Sequence, residues 1–125
     1  MRYLSAEDIL EIHSLLIDET GGSHGVRDLG LVQSAASSPL QVVYGKELYV
    51  TVYQKAAVYA RIITQHHPFL DGNRRTGITA ALVFLEDNGF AAKIESGEIE
   101  ACALSIAAKK FDIEEIAKWL ESHTI

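Results

Sequence analysis

Residues 78–85 read ITAALVFL, apolar at every position except Thr79. On a helix, Ile78, Ala81, Leu82 and Leu85 form one stripe, and Ala80, Val83 and Phe84 widen it. That is broader than the ~100° stripe by which a surface helix faces a core. The spacing predicts a helix from about Asn73 to Asn88, stopped by Gly89. A helix apolar on so much of its surface has to be the central one, and the rest of the chain has to cover it.

The remaining segments supply helices for that purpose. Ser5 and Asp8 resemble a capping box, with Asp in place of Glu or Gln, ahead of Ile9, Ile12 and Leu16; Gly21-Gly22 ends that helix. Asp28 caps a short second helix running to about Ser37, before Pro39. Thr51 opens a third, on which Val52, Ala56, Tyr59, Ala60 and Ile63 keep helical spacing. Ser96 is the expected cap of a fifth helix reaching about Lys110, and Asp112 with Glu115 opens a sixth carrying Ile113, Ile116, Ala117 and Leu120. Residues 39–53, PLQVVYGKELYVTVY, do not fit this pattern. Their β-branched and aromatic clusters around Gly45-Lys46 read equally well as a short hairpin flap or as a plain connecting loop. The expected fold class is therefore all-α, a bundle of about six helices, with 1–125 as a single domain.

Nearly half of the chain is apolar, enough for a core without metals or disulfides. One cysteine, Cys102, rules out an internal disulfide and fits a reducing cytoplasm. Five acids among the first twenty residues do not suit a signal peptide, and no apolar run approaches the ~18 residues that cross a bilayer. A formal net charge of −6 argues against direct nucleic-acid binding, yet permits an anion held at one local basic spot.

That spot is HHPFLDGNRRTG, residues 66–77. Pro68 pushes the preceding residue out of the helical region, so the third helix ends near His66 and this polar loop leads into the central helix. The first amides of that helix and its positive dipole end face the loop. Gly72 permits a close backbone approach, and Arg74 and Arg75 add cationic forks, so the segment is a candidate phosphate site. Asp71 offers the hard oxygen that Mg²⁺ needs when it sits against phosphates. His67 is the loop residue whose ordinary pKa suits proton abstraction, His66 being assigned to capping or solvent. Phe69 reads as the apolar anchor of the loop. Taken singly, each residue has an ordinary use as a cap, a turn or a solvated charge; their coincidence before a buried helix points to phosphoryl or nucleotidyl transfer. A metal hydrolase built on His66, His67 and Asp71 is disfavoured, because adjacent helical residues point ~100° apart.

His67-Pro68-Phe69-Leu70-Asp71-Gly72-Asn73-Arg74-Arg75 resembles the H-P-F-x-[DE]-G-N-x-R signature of the Fic/Doc (Fido) family. The stretches YLSAEDILEIH and GVRDLGLVQSA are similar to its death-on-curing branch, whose members are toxins of toxin–antitoxin pairs. The resemblance implies an all-helical Fido core. It makes His67 the base for a target hydroxyl, Asp71 the Mg²⁺ ligand, and Gly72, Asn73, Arg74 and Arg75 the contacts to ATP or another NTP. Two positions depart from the family's AMP-transferases, which read G-N-G-R-x-x-R: Arg74 stands in place of the third small residue and Ile78 in place of the second arginine. The resemblance therefore implies transfer of the γ-phosphate to a protein target, a translation elongation factor in that branch. AMP transfer and a non-catalytic binding domain are the alternatives. Ser96 to Glu100 matches the start of the family's inhibitory pattern [ST]-x-x-x-E-[GN], but Ala101 follows, so restraint is expected from a separate antitoxin protein.

Overall fold

The computed structural model describes residues 1–95 and 97–125. Within them lie six helices, α1 (Ala6–Thr20), α2 (Leu29–Ser37), α3 (Val52–His66), α4 (Asn73–Asp87), α5 (Glu98–Ala107) and α6 (Ile113–Ser122), and one hairpin of β1 (Val42–Val43) and β2 (Lys46–Glu47). The fold is all-α. The apolar run does make α4 a buried helix, but it shares the centre with α3: the two pack most extensively on each other, α1 and α5 also cover α4, and α3 touches more elements, carrying α2 and α6 on its other sides. No helix among the described residues is long and apolar enough to cross a membrane.

The contact between α3 and α4 is set by Gly77. A Cβ at this position would run into Thr64 Oγ1 and lie 2.9 Å from the carbonyl oxygen of Ala60. Only a residue without a side chain lets the two helices come this close. The departure Ile78 follows directly after it and is wholly buried in the core.

Local chemistry sets most of the helix ends. Ser5 and Asp8 close a reciprocal capping box, as do Thr51 with Gln54 and Asp112 with Glu115, and the Asp28 side chain accepts from the Leu31 amide. At the end of α4, Gly89 takes a positive φ, with Gly89 N–H donating to Glu86 and Phe90 N–H to Leu85. The fifth helix departs from expectation. It begins at Glu98 behind Gly97, and the expected cap Ser96 lies outside the described residues. It stops at Ala107 rather than near Lys110, because Lys109 adopts φ 59°. Lys109 N–H then donates to Ile106 and Lys110 N–H to Ser105, a closure normally made by glycine.

Residues 39–53 contain the hairpin rather than a plain loop. Val42 pairs with Glu47 and Val43 with Lys46 across Tyr44 and Gly45, both at positive φ as the favoured two-residue turn requires. The buried Lys55 of α3 ties the root of the hairpin down, donating to Glu47 Oε1 at 3.1 Å and to the Tyr49 carbonyl.

Gly77→Ala should overpack the α3–α4 contact and cost about 1–3 kcal/mol. A thermal melt should register it as a Tm lowered by several degrees; an unchanged Tm would mean that the two helices can separate without loss.

Candidate active site

The polar loop begins where α3 ends. His67 caps the helix at φ 52° and ψ 61°, left-handed rather than extended as the following proline alone would favour. Such a conformation in a non-glycine residue costs on the order of 1–3 kcal/mol and persists only where its surroundings hold it.

The segment before α2 does the holding. Arg27 Nε donates to the His67 carbonyl and Arg27 Nη2 to the His66 carbonyl, each at 2.6 Å. The backbone amides of Arg27 and Asp28 both donate to the Pro68 carbonyl, and Leu70 N–H donates to Gly25. Val26 and Phe69 form an isolated antiparallel bridge. From the core side, the buried Phe69 ring stacks on His13, with centroids 3.8 Å apart and planes 3° apart. His13 Nε2 donates to the Asp71 carbonyl at 2.8 Å; since a carbonyl only accepts, the proton is on that nitrogen. The Asn73 side chain closes the loop on itself, accepting from Phe69 N–H at 2.9 Å and donating to the Phe69 carbonyl at 3.0 Å.

The next turn is left open. Gly72 sits at φ 75°, and a Cβ there would press within 3.0 Å of Ile17 Cδ1, so both conformation and space select glycine. No side chain caps α4, and the amides of Asn73, Arg74 and Arg75 have no acceptor among the described residues. Free amides at a helix N-terminus, reinforced by the helix dipole, are suited to holding an anion. A cleft of about 340 Å³ lies over them, lined by His67, Leu70, Asp71, Gly72, Asn73, Arg74 and Arg75.

The structure thus brings His67, Asp71, Gly72, Asn73, Arg74 and Arg75 to one cleft and places Phe69 beneath it as the anchor. His66 is exposed beside it. The His67 imidazole is exposed and makes no hydrogen bond among the described residues. Asp71 Oδ1 accepts from Gly72 N–H at 2.9 Å and Oδ2 from Ser23 N–H at 3.2 Å. Each oxygen keeps acceptor capacity on its exposed side. No cluster of three or more metal-binding side chains occurs among the described residues. A lone carboxylate at the mouth of an anion site suits Mg²⁺, which keeps waters and completes its shell with phosphate oxygens, but would not suit a metal needing a protein cage. Asn73 reaches the cleft through its amide, because its side chain is committed to Phe69. Ile78 cannot line the site, being in the core.

Arg75 is not a bare cation. Its Nη2 pairs with Glu100 Oε1 of α5 at 2.5 Å, and both side chains are partly exposed. A second cavity of about 310 Å³ adjoins this pair, walled by Arg74, Arg75, Ile99, Glu100, Ala103 and Leu104. Thiol chemistry plays no part here: Cys102 is buried, and burial pushes its thiol up to about 12. His13 and Arg27 escape the reading of the sequence, since their contacts span dozens of residues and leave no local pattern, whereas Glu100 enters it only as the acid of the incomplete inhibitory pattern. The first two do lie in the stretches YLSAEDILEIH and GVRDLGLVQSA.

Residues 3–85 match the family model described as the Fic/DOC family. The chain is 35% identical over 117 residues, 92% of its own length and 88% of the relative's, to a protein named Toxin Doc from Mycolicibacterium smegmatis. It is 28% identical over 120 residues, 96% of its own length and 94% of the relative's, to a protein named Protein kinase doc from Escherichia phage P1.

If Arg75 takes up phosphate, Glu100 competes for it. Glu100→Gln should then tighten binding of inorganic tripolyphosphate by up to about fivefold, the range of a partly exposed ion pair. Isothermal titration would register this, and unchanged or weaker binding would remove Arg75 from the anion site.

Proposed function

The chain belongs to the Fic/DOC family, and on that footing we propose that it is a Doc-type toxin, a kinase that moves the γ-phosphate of ATP or another NTP onto a hydroxyl of a protein target. The observation that carries this reading is the convergence on one cleft of an exposed histidine, a carboxylate, two arginines and the unpaired amides of a buried helix. The names of its relatives, a toxin and a protein kinase, support the same reading.

The chemistry follows from where those groups stand. The amides of Asn73, Arg74 and Arg75, with the guanidinium groups of Arg74 and Arg75, bind and orient the phosphates. Asp71 would hold Mg²⁺, which supplies charge neutralisation on the phosphate oxygens when bound. The target hydroxyl oxygen attacks the γ-phosphorus in line, the bond from that phosphorus to the β–γ bridging oxygen breaks, and the nucleoside diphosphate leaves. His67 takes the hydroxyl proton, a role open to it because its ring has no partner among the described residues. The burial of Ile78 favours phosphate over AMP transfer: where the AMP-transferases carry a second arginine, this fold has core. The target is a protein, with a translation elongation factor as the class that the family resemblance suggests, and a separate antitoxin would restrain the toxin.

ATP labelled at the γ- or at the α-phosphorus, incubated with a bacterial lysate and the purified chain, tests the reaction. Label is expected on protein from the γ position alone; transfer from the α position would replace the kinase by an AMP-transferase, and none from either would leave a non-catalytic domain. His67→Ala should lower the γ-transfer rate by roughly 10²–10⁴, the usual worth of a positioned base; a folded variant with full activity would end that assignment. Asp71→Asn preserves the turn but removes the charge, so ATP affinity should lose most of its dependence on Mg²⁺ in parallel titrations with and without the ion. An unchanged dependence would reduce Asp71 to a structural acceptor.

A further inference from the structure

Arg27 lies 40 residues from His67 in sequence, yet its guanidinium grips the carbonyls of His66 and His67 with two short bonds. These are end carbonyls of α3, which the left-handed turn at His67 leaves without helical partners. A cation there satisfies both and also opposes the negative end of the helix dipole. Without it, two carbonyls would depend on water and the φ 52° turn would lose its nearest support. A relaxation of that turn rotates the Cα–Cβ bond of His67 and moves its imidazole. The anion position is built otherwise: the amides of residues 73–75 are fixed by α4, by the Asn73–Phe69 pair and by His13 on the Asp71 carbonyl. The two halves of the cleft therefore have separate supports.

We infer that Arg27 is a positioning residue for the reaction, a two-pronged clamp that sets the aim of the His67 imidazole without helping to bind the nucleotide. The inference rests on the reading of His67 as the base. A bidentate guanidinium suits the task because its planar fork bridges two acceptors in fixed geometry, which a lysine ammonium does not.

The test uses five proteins, each checked for folding by circular dichroism: wild type, Arg27→Gln, Arg27→Lys, His67→Ala and the double variant Arg27→Gln/His67→Ala. Transfer of γ-label to lysate protein reads the chemical step, and titration with inorganic tripolyphosphate in Mg²⁺ reads the anion position. Arg27→Gln is expected to slow transfer by about 10–100-fold, the effect of a reacting group displaced by about an ångström, while tripolyphosphate affinity stays as in the wild type. It should add nothing once His67 is alanine, because the clamp then has no imidazole to aim. Arg27→Lys should fall between wild type and Arg27→Gln, and it carries the test if Arg27→Gln does not fold. Wild-type rates in the Arg27 variants beside a deficient His67→Ala would overturn the clamp alone. So would an equal loss of rate and tripolyphosphate affinity, or additive losses in the double variant. Full transfer by His67→Ala would overturn the base assignment, and the clamp with it.

Discussion

The site depends on how the backbone of one irregular loop is satisfied. A loop pressed against a core has to find partners for its N–H and C=O groups, and each buried group left unpaired is costly. Here the carbonyls of residues 66–69 and 71 are taken in turn by Arg27, by the amides of residues 27 and 28, by Asn73 and by His13. The loop can therefore keep a left-handed histidine and a left-handed glycine five residues apart. The first amides of α4 are left without acceptors among the described residues, and these open on the cleft.

The central helix turns that arrangement into a platform. Gly77 draws α3 and α4 together, and Ile78 sinks its side chain into the core directly behind the loop. The N-terminus of α4 is thereby fixed in place, with its dipole end aimed at the cleft. The α5 helix closes one side and contributes Glu100, which meets Arg75 before any ligand does. On the proposed reading, an arriving phosphate would have to displace this partner, so the acid would tune how much of the guanidinium an anion can use.

Much of this was legible in the sequence because it is local. Caps at Ser5, Asp28, Thr51 and Asp112 and the stop at Gly89 are short-range hydrogen-bond patterns, and each appears where residue type places it. The breadth of the apolar run marked α4 as buried, without showing that α3 shares the centre with it, and proline spacing set the end of α3. The fifth helix was misread at its end because a lysine, not a glycine, takes the left-handed closing position. Seven residues of the nine-residue signature line one cleft, but the signature is silent about which of their atoms face it. Asn73 turns its side-chain carboxamide to Phe69 and keeps only its backbone N–H for the cleft, and Ile78 leaves the site altogether. His13 and Arg27 could not be found from spacing, since tertiary packing alone brings each to the loop, and the spacing that marked Glu100 gave no sign of its pairing with Arg75.

The central claim is that the open amides of α4 bind phosphate beside His67. A titration of the ¹⁵N-labelled chain with Mg²⁺ and a non-hydrolysable ATP analogue, followed by NMR, tests it most directly. The largest amide shifts are expected at Gly72, Asn73, Arg74 and Arg75, with smaller ones at His67 and Glu100 and none along α6. Binding that leaves residues 72–75 unmoved would contradict the account.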